Sequence, residues 1–552
     1  YNSPTGRAMY RTCLLAASFL AALAPQFHAA DIWKIAPPAP ASWQRDRVSD
    51  LQARRRAVAE QIGPKGILIL FAAEPRNYAG DVDWPYRQEN DFFYLTAIPQ
   101  AGSALVIIPG AAKYREILFM PPSNPSQENW TGHVLTPAEG REISGIDAIW
   151  DARRLNEFLA AVIPQAKTVF ADPPARGGRG GRGGGGGRGR AAAETPPIPI
   201  DVSAEFGSLA GSFGTRESPI SMLGSGRGAG AAAEFRREAE TVRKLAALDP
   251  PLTVSDPGPM FSKLRAVKSA REIELLQHAV DITAEGFQRV YAVAVAGTPE
   301  YEIQAQFEFT FLRRNAHWGY PCIVASGVNA TTLHYETNKD TMKPGDLLLM
   351  DDAAEFDGYS ADVTRTIPVS GKYSPAQADI YRLVWAAQKA AIGEAKPGHT
   401  PANINEACDR VLGDGLFKLG LITDPKSTEQ IRIWLNHGIS HGIGLNVHDP
   451  AASAQSGLRE YQPGMAITME PGLYFRPDAL ENLPKTPEME KFIAAVRPAF
   501  EKYKGIGVRI EDDVLITTGD AKVMSAGVPS KLEDVEAAIA QLRKALKSAP
   551  PQ

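Results

Sequence analysis

The chain has 552 residues, long enough for more than one domain. Its 59 basic and 63 acidic residues nearly cancel, giving a net charge of −4, which argues against a nucleic-acid or anionic membrane surface. Three cysteines, Cys13, Cys322 and Cys408, stand without any CxxC spacing, which argues against a disulfide framework or a thiolate zinc site.

The first 30 residues read as a signal peptide whose start is Met9. Arg11 precedes the apolar run LLAASFLAALA, Leu14–Ala24, which is too short to span a bilayer. Small residues in QFHAAD suggest cleavage near Ala29 or Ala30. Export to a bacterial periplasm or the exterior is therefore expected, with no membrane association after removal. The alternative is a buried or tail-like N-terminal helix.

QARRRAVAEQIG, ending at Gly63, reads as an exposed basic helix. GILILFAA (Gly66–Ala73) is an apolar strand-like run, and FFYLTAI, SALVIIPG, REILFMPP and KTVFADPP repeat it. Strands alternating with helical stretches predict an α/β domain over 45–250. ARGGRGGRGGGGGRGRAAAETPP, residues 175–197, has no side chains with which to build a core and is read as a flexible insertion. An Arg-Gly nucleic-acid tail is disfavoured, because aromatics are not interleaved and the overall charge is acidic. GSGRGAGAAA, residues 224–233, is read as a second loop.

The Asp and Pro residues of DPGPM mark a boundary near 255, and a second domain is expected over 255–545. It opens with a helix capped by Ser269, with Ile273, Leu276, Val280 and Ile282 as its apolar stripe. In GDLLLMDDAAEFDGYSADVTRTIPV, Asp357-Gly358 is a hairpin turn signal. That turn sets Phe356 opposite Tyr359 and Asp351 opposite Thr364, with Asp362 a diagonal neighbour on the same face. Two carboxylates so placed require a shared proton, a basic partner or a metal. Otherwise one aspartate is a turn residue and the other is solvated.

HGISHGIGLNVHDP, residues 437–450, holds three of the nine histidines. Its glycines disfavour a helix, so it reads as strand and loop, and it lacks the HExxH pattern. AITMEPGLY ends an apolar strand at Glu470, before a Pro-Gly turn. GIGVRIEDDVLIT alternates so that Arg509 and Glu511 share a face. One imidazole with several carboxylates suits a two-metal site of borderline-to-hard character, manganese more than structural zinc. A set of purely structural His–carboxylate pairs is the alternative.

These motifs, with TLHYETN around His334, resemble the pita-bread metallopeptidases, and within them the Xaa-Pro aminopeptidase (aminopeptidase P) family. DWPYRQENDFFYLTAIPQ, residues 83–100, is similar to that family's amino-terminal domain. The resemblance implies an N-terminal α/β domain of the creatinase and aminopeptidase P type, followed by a pita-bread catalytic domain. Lys485–Tyr503 and the two glycine-rich stretches look like insertions in that pattern. It further implies two divalent ions, Mn²⁺ by preference. Asp351 would hold one ion, Asp362 and Glu511 would bridge, and His441 and Glu470 would hold the other. Glu470 would also be the general base. His334, His437 and His448 would serve the substrate, and Arg509 would orient a ligand. The implied substrates are peptides with proline second, and the implied assembly is a homodimer or tetramer. A prolidase on the same fold and a catalytically dead binding module are the rivals. A methionine-type aminopeptidase is disfavoured because it has no use for the large first domain.

Overall fold

The computed structural model describes residues 33–171 and 253–548. The segment expected to be a signal peptide, with Cys13, and both glycine-rich stretches lie outside the described residues. No helix among the described residues is long and apolar enough to cross a membrane.

The first domain is built on a six-stranded mixed sheet. Its spatial order is Ala148–Asp151, Glu116–Met120, Ala104–Ile107, Gly66–Phe71, Thr168–Ala171, Thr253–Ser255. The apolar runs at 66, 104, 116 and 168 supply four of these strands, and the short AIWD strand escaped the sequence reading. FFYLTAI is not a strand. It lies mainly in the helix Asn90–Thr96, whose N-cap Glu89 accepts from the Phe92 N–H and which closes at Ala97 with φ +53°. An apolar run buried on all sides carries no period, so it cannot by itself separate strand from buried helix.

The basic helix exists as Arg47–Ile62, but it is not an exposed basic face. Arg54 and Arg55 are buried. Arg54 donates to the Tyr94 carbonyl at 3.0 Å, and Arg55 to those of Leu95 at 2.8 Å and Ser144 at 3.0 Å. Arg55 also pairs with Glu116 at 2.7 Å. These guanidiniums satisfy carbonyls in the last turn of the 90–96 helix and at the end of the helix Pro137–Ser144, a role that a basic run does not reveal.

The second domain begins with the helix Ala270–Val293. Ser269 and Glu272 close a full capping box at its start. Leu276, Val280 and Ile282 of the stripe are buried, and Ile273 is half-buried. His278 packs edge-on against Phe356 at 4.5 Å and serves the core.

Two antiparallel ladders follow, each interrupted in its middle. In the first, Leu347–Asp351 pairs with Thr364–Pro368, and Asp351 stands opposite Thr364. Beyond the gap Phe356 faces Tyr359 in the same register, around a turn with φ +50° at Asp357 and +81° at Gly358. Positive φ at both positions is what a type I′ hairpin requires. In the second ladder Ala466–Met469 pairs with Asp512–Leu515, and Gly472–Tyr474 with Gly507–Arg509. The pairs Met469–Asp512 and Gly472–Arg509 continue one register, which sets Glu470 opposite Glu511. The expected Pro-Gly turn is therefore absent. The chain runs on through Pro471 into the next strand, because the Pro471 carbonyl accepts from the Ile510 N–H at 3.3 Å and keeps the ladder together. The connection between these strands carries the helix Pro487–Tyr503, which buries Phe492, Val496 and Phe500.

The domains clasp one another at the first hairpin. Arg87 pairs with Glu355 at 2.9 Å, and Arg265 bridges Asp91 and Asp449. A side chain at Gly358 would press on Phe93 and Leu445.

Candidate active site

Both ladder gaps open onto one cavity of about 450 Å³. All nine residues singled out in the sequence line it: Asp351, Asp362, His441, Glu470 and Glu511; His334, His437 and His448; and Arg509. The gaps free Asp362, Glu470 and Glu511 from strand pairing, Asp351 ends its strand beside them, and cross-links hold the ladders together. Thr364 donates its hydroxyl to Glu511 at 2.6 Å, and its carbonyl accepts from the Glu511 N–H. The Asp513 carboxylate accepts from the Asp362 N–H at 3.0 Å.

Asp362, His441 and Glu511 form the tightest group, with one ligand atom each within 4.8 Å of the others. His441 Nδ1 faces the Gly442 carbonyl at 3.0 Å and can only donate there. Nε2 is then an unprotonated acceptor, and it faces Asp362 Oδ2 and Glu470 Oε1, each at 3.4 Å. Asp351 stands slightly apart. Its Oδ1 accepts from the Tyr320 hydroxyl at 2.6 Å and its Oδ2 from Arg509 at 2.7 Å. Arg509 was read from the sequence as a neighbour of Glu511. Its guanidinium grips Asp351, one of the expected ligands, and also donates to Tyr474 at 2.9 Å.

The histidine stretch is non-helical, as its glycines suggested. Residues 439–443 run beside Ala466–Met469, with the His441 carbonyl accepting from Thr468 and the Ile439 carbonyl from Glu470. The chain then folds back so tightly that a Cβ at Gly442 would collide with the Asp449 and Pro450 carbonyls. His448 thereby stacks on His441 with ring centres 4.0 Å apart. His437 meets the Tyr474 hydroxyl at 2.9 Å, and His334 is exposed on the cavity wall. The sequence points to Thr364 only as the cross-strand neighbour of Asp351, and to neither Tyr320 nor Tyr474. Nothing in their local sequence marks a tyrosine or threonine as a partner of a carboxylate far along the chain.

Burial, then the neighbouring carboxylates, push Asp362, Glu511 and Glu470 well above the usual carboxylate range, with Arg509 opposing the rise at Glu511 and Glu470. Burial holds the His441 and His437 imidazoles neutral, down to about 4. Several buried carboxylates and one imidazole acceptor therefore converge, and Arg509 is the one lysine or arginine on the lining beside them. Oxygen atoms with one neutral imidazole nitrogen fit a divalent cation of borderline-to-hard character.

A consequence is measurable. Without a cation these carboxyls hold their protons to higher pH than free carboxyls do, and a cation must displace the protons still bound. Divalent-ion binding is expected to release protons, and its apparent affinity to fall as pH falls. Calorimetry in two buffers of different ionisation enthalpy reads this directly. A heat independent of buffer would contradict it.

The comparisons agree with this picture. The family model described as metallopeptidase family M24 matches residues 274–518, and that of the aminopeptidase P N-terminal domain matches 51–170. Fold and site thus define a two-domain hydrolase of the M24 metallopeptidases. Xaa-Pro aminopeptidase of Haemophilus influenzae is 30% identical over 88% of this chain and 96% of its own. The solved structure of Pseudomonas aeruginosa aminopeptidase PepP superposes with a TM-score of 0.72 at 29% identity, over 90% of this chain and 98% of that one. Zn-substituted Escherichia coli aminopeptidase P in complex with product gives 0.69 at 29%, over 90% and 98%. The chain belongs to the Xaa-Pro aminopeptidase family.

Proposed function

We propose that this chain is a metal-dependent exopeptidase that releases the first residue of peptides whose second residue is proline. The observation that carries this reading is the convergence of Asp351, Asp362, His441, Glu470 and Glu511 on one cavity with three histidines beside them. In this assignment Asp351, Asp362, His441, Glu470 and Glu511 would hold two divalent ions between them. Manganese is the cation that suits a donor set so rich in oxygen. Bound there, the ions supply Lewis acidity, which makes water more acidic and draws charge from a carbonyl.

The protein's own groups do the rest. Glu470 takes the proton of the attacking water and passes it to the departing nitrogen. That proton is needed because the Xaa–Pro bond is a tertiary amide and its leaving group is a secondary amine. His334 or His448 donates to the carbonyl oxygen as negative charge builds on it. His437, positioned by Tyr474, serves the substrate from the same cavity lining. Arg509 and Tyr320 fix the Asp351 carboxylate, each by a hydrogen bond to one of its oxygens. Pro321, Ile323, Leu333 and Val447 give the cavity apolar walls suited to a proline ring. Recognition that needs no N–H suits this bond, which has none.

Export through the N-terminal segment and assembly as a dimer or tetramer belong to the same reading. The first rests on the segment's composition and the second on the family resemblance.

The test is product analysis by mass spectrometry. Metal-stripped protein, with and without added Mn²⁺, is incubated with an Xaa-Pro-Xaa tripeptide and an Xaa-Pro dipeptide. Mn²⁺-dependent release of the first residue from the tripeptide is expected. Cleavage of the dipeptide alone would replace this reading with a prolidase, which the names of the relatives do not favour.

A further inference from the structure

Five carboxylates line the substrate cavity, and four of them are committed. Asp351 is held by Tyr320 and Arg509, and Asp362, Glu470 and Glu511 surround His441 Nε2. The fifth, Glu336, has no hydrogen bond or ion pair to any described residue, and it is exposed on the cavity wall. Its placement follows from the backbone. Residues 335–338 carry no regular structure, and the side chains of His334 and Glu336 border the cavity while Tyr335 between them packs against the small cluster of Ile323, Ala325 and Leu349. Arg509 is the only lysine or arginine on the lining, and its guanidinium is taken up by Asp351 and Tyr474. Glu336 is therefore the one carboxylate of the lining with no partner among the described residues.

We infer that Glu336 is a specificity-determining residue that binds a cationic ammonium or guanidinium group of the peptide. The inference rests on the exopeptidase reading above, in which every substrate brings a free amino terminus into this cavity. Two sources share the chemistry: the terminal ammonium itself, and the side chain of a lysine or arginine in the peptide. An exposed carboxylate meeting such a group gives modest, salt-sensitive selectivity.

The experiment compares wild type, Glu336→Gln and Glu336→Asp on Ala-Pro-Ala, Arg-Pro-Ala and Glu-Pro-Ala. If the terminal ammonium is the ligand, Glu336→Gln raises KM roughly three- to tenfold for all three peptides, and Glu336→Asp recovers part of the loss. If the side chain is the ligand, the rise is confined to Arg-Pro-Ala, which wild type then prefers over Glu-Pro-Ala. Unchanged KM values on all three, or a fall in kcat alone that Glu336→Asp does not relieve, overturn the assignment. Calorimetric binding of the same peptides to metal-free protein separates this outcome from failure of the peptidase reading. Weaker binding to Glu336→Gln supports the role of Glu336 even without cleavage. Equal binding by wild type and variant rejects it even if wild type cleaves.

Discussion

Glu470→Gln is expected to lose activity by about a thousandfold or more while the protein stays folded. The glutamine keeps the shape of the side chain but cannot take a proton from water. Its amide can turn an N–H toward His441 Nε2, which lies 3.4 Å from Glu470 Oε1, and keeps an oxygen as a donor atom for a cation. Stability should not suffer, because Glu470 is one of several carboxylates that repel each other in this cavity. Burial and the Glu511 charge together push it well above the usual carboxylate range. Removing a negative charge relieves that repulsion. The measurement is kcat on an Xaa-Pro-Xaa tripeptide, alongside thermal unfolding and metal content of the same samples. Metal content matters because Glu470 is also assigned as a ligand. Full metal occupancy with lost turnover places the defect in proton transfer. Retained turnover would sink the assignment.

The largest loss of stability is expected from Arg365→Met. Arg365 is fully buried one residue after Thr364, and it spans the space between the two ladders. Its guanidinium donates to the carbonyls of Glu511, Val528 and Pro529 and pairs with Asp512 at 2.6 Å. Methionine fills similar space and donates nothing. It leaves Asp512 buried with only Ser525 and, at 3.6 Å, Lys389 nearby. Breaking a buried pair by removing one partner costs about 3–5 kcal/mol. Denaturant unfolding of the metal-free protein should show a loss of that order, and Arg365→Met with Asp512→Leu should recover part of it. A loss below about 1 kcal/mol would mean that water or Lys389 already neutralises Asp512.

Much of this site was legible in the chain itself. The Asp357-Gly358 turn fixed the pairing of Asp351 with Thr364, because a two-residue turn permits one register. The glycines of 438–444 correctly excluded a helix for the histidines. What could not be read depended on contacts between distant residues. The partners of Asp351 come from Tyr320 and Arg509, 31 and 158 positions away. The buried arginines of the 47–62 helix looked like a solvated face, since a basic run has the same composition whether it meets water or carbonyl oxygens. Pro471-Gly472 resembled a turn because local chemistry outweighed the long-range ladder that keeps the strand going. FFYLTAI misled for the related reason that full burial erases the alternation by which strands are recognised.

The unbroken register across each ladder gap gives the active centre a ruler. Asp351 and Asp362 are spaced by a count of residues running out to Gly358 and back, and Glu470 and Glu511 by a count running through the connection that holds the 487–503 helix. The first count is short and closed by a two-residue turn, so one added residue would rotate every later side chain to the other face of the sheet. The second is long and passes through a helix that can change length outside the sheet without disturbing the pairing. Variation in this protein is thus channelled: the 470–511 connection is free to lengthen, and the hairpin at Gly358 is not.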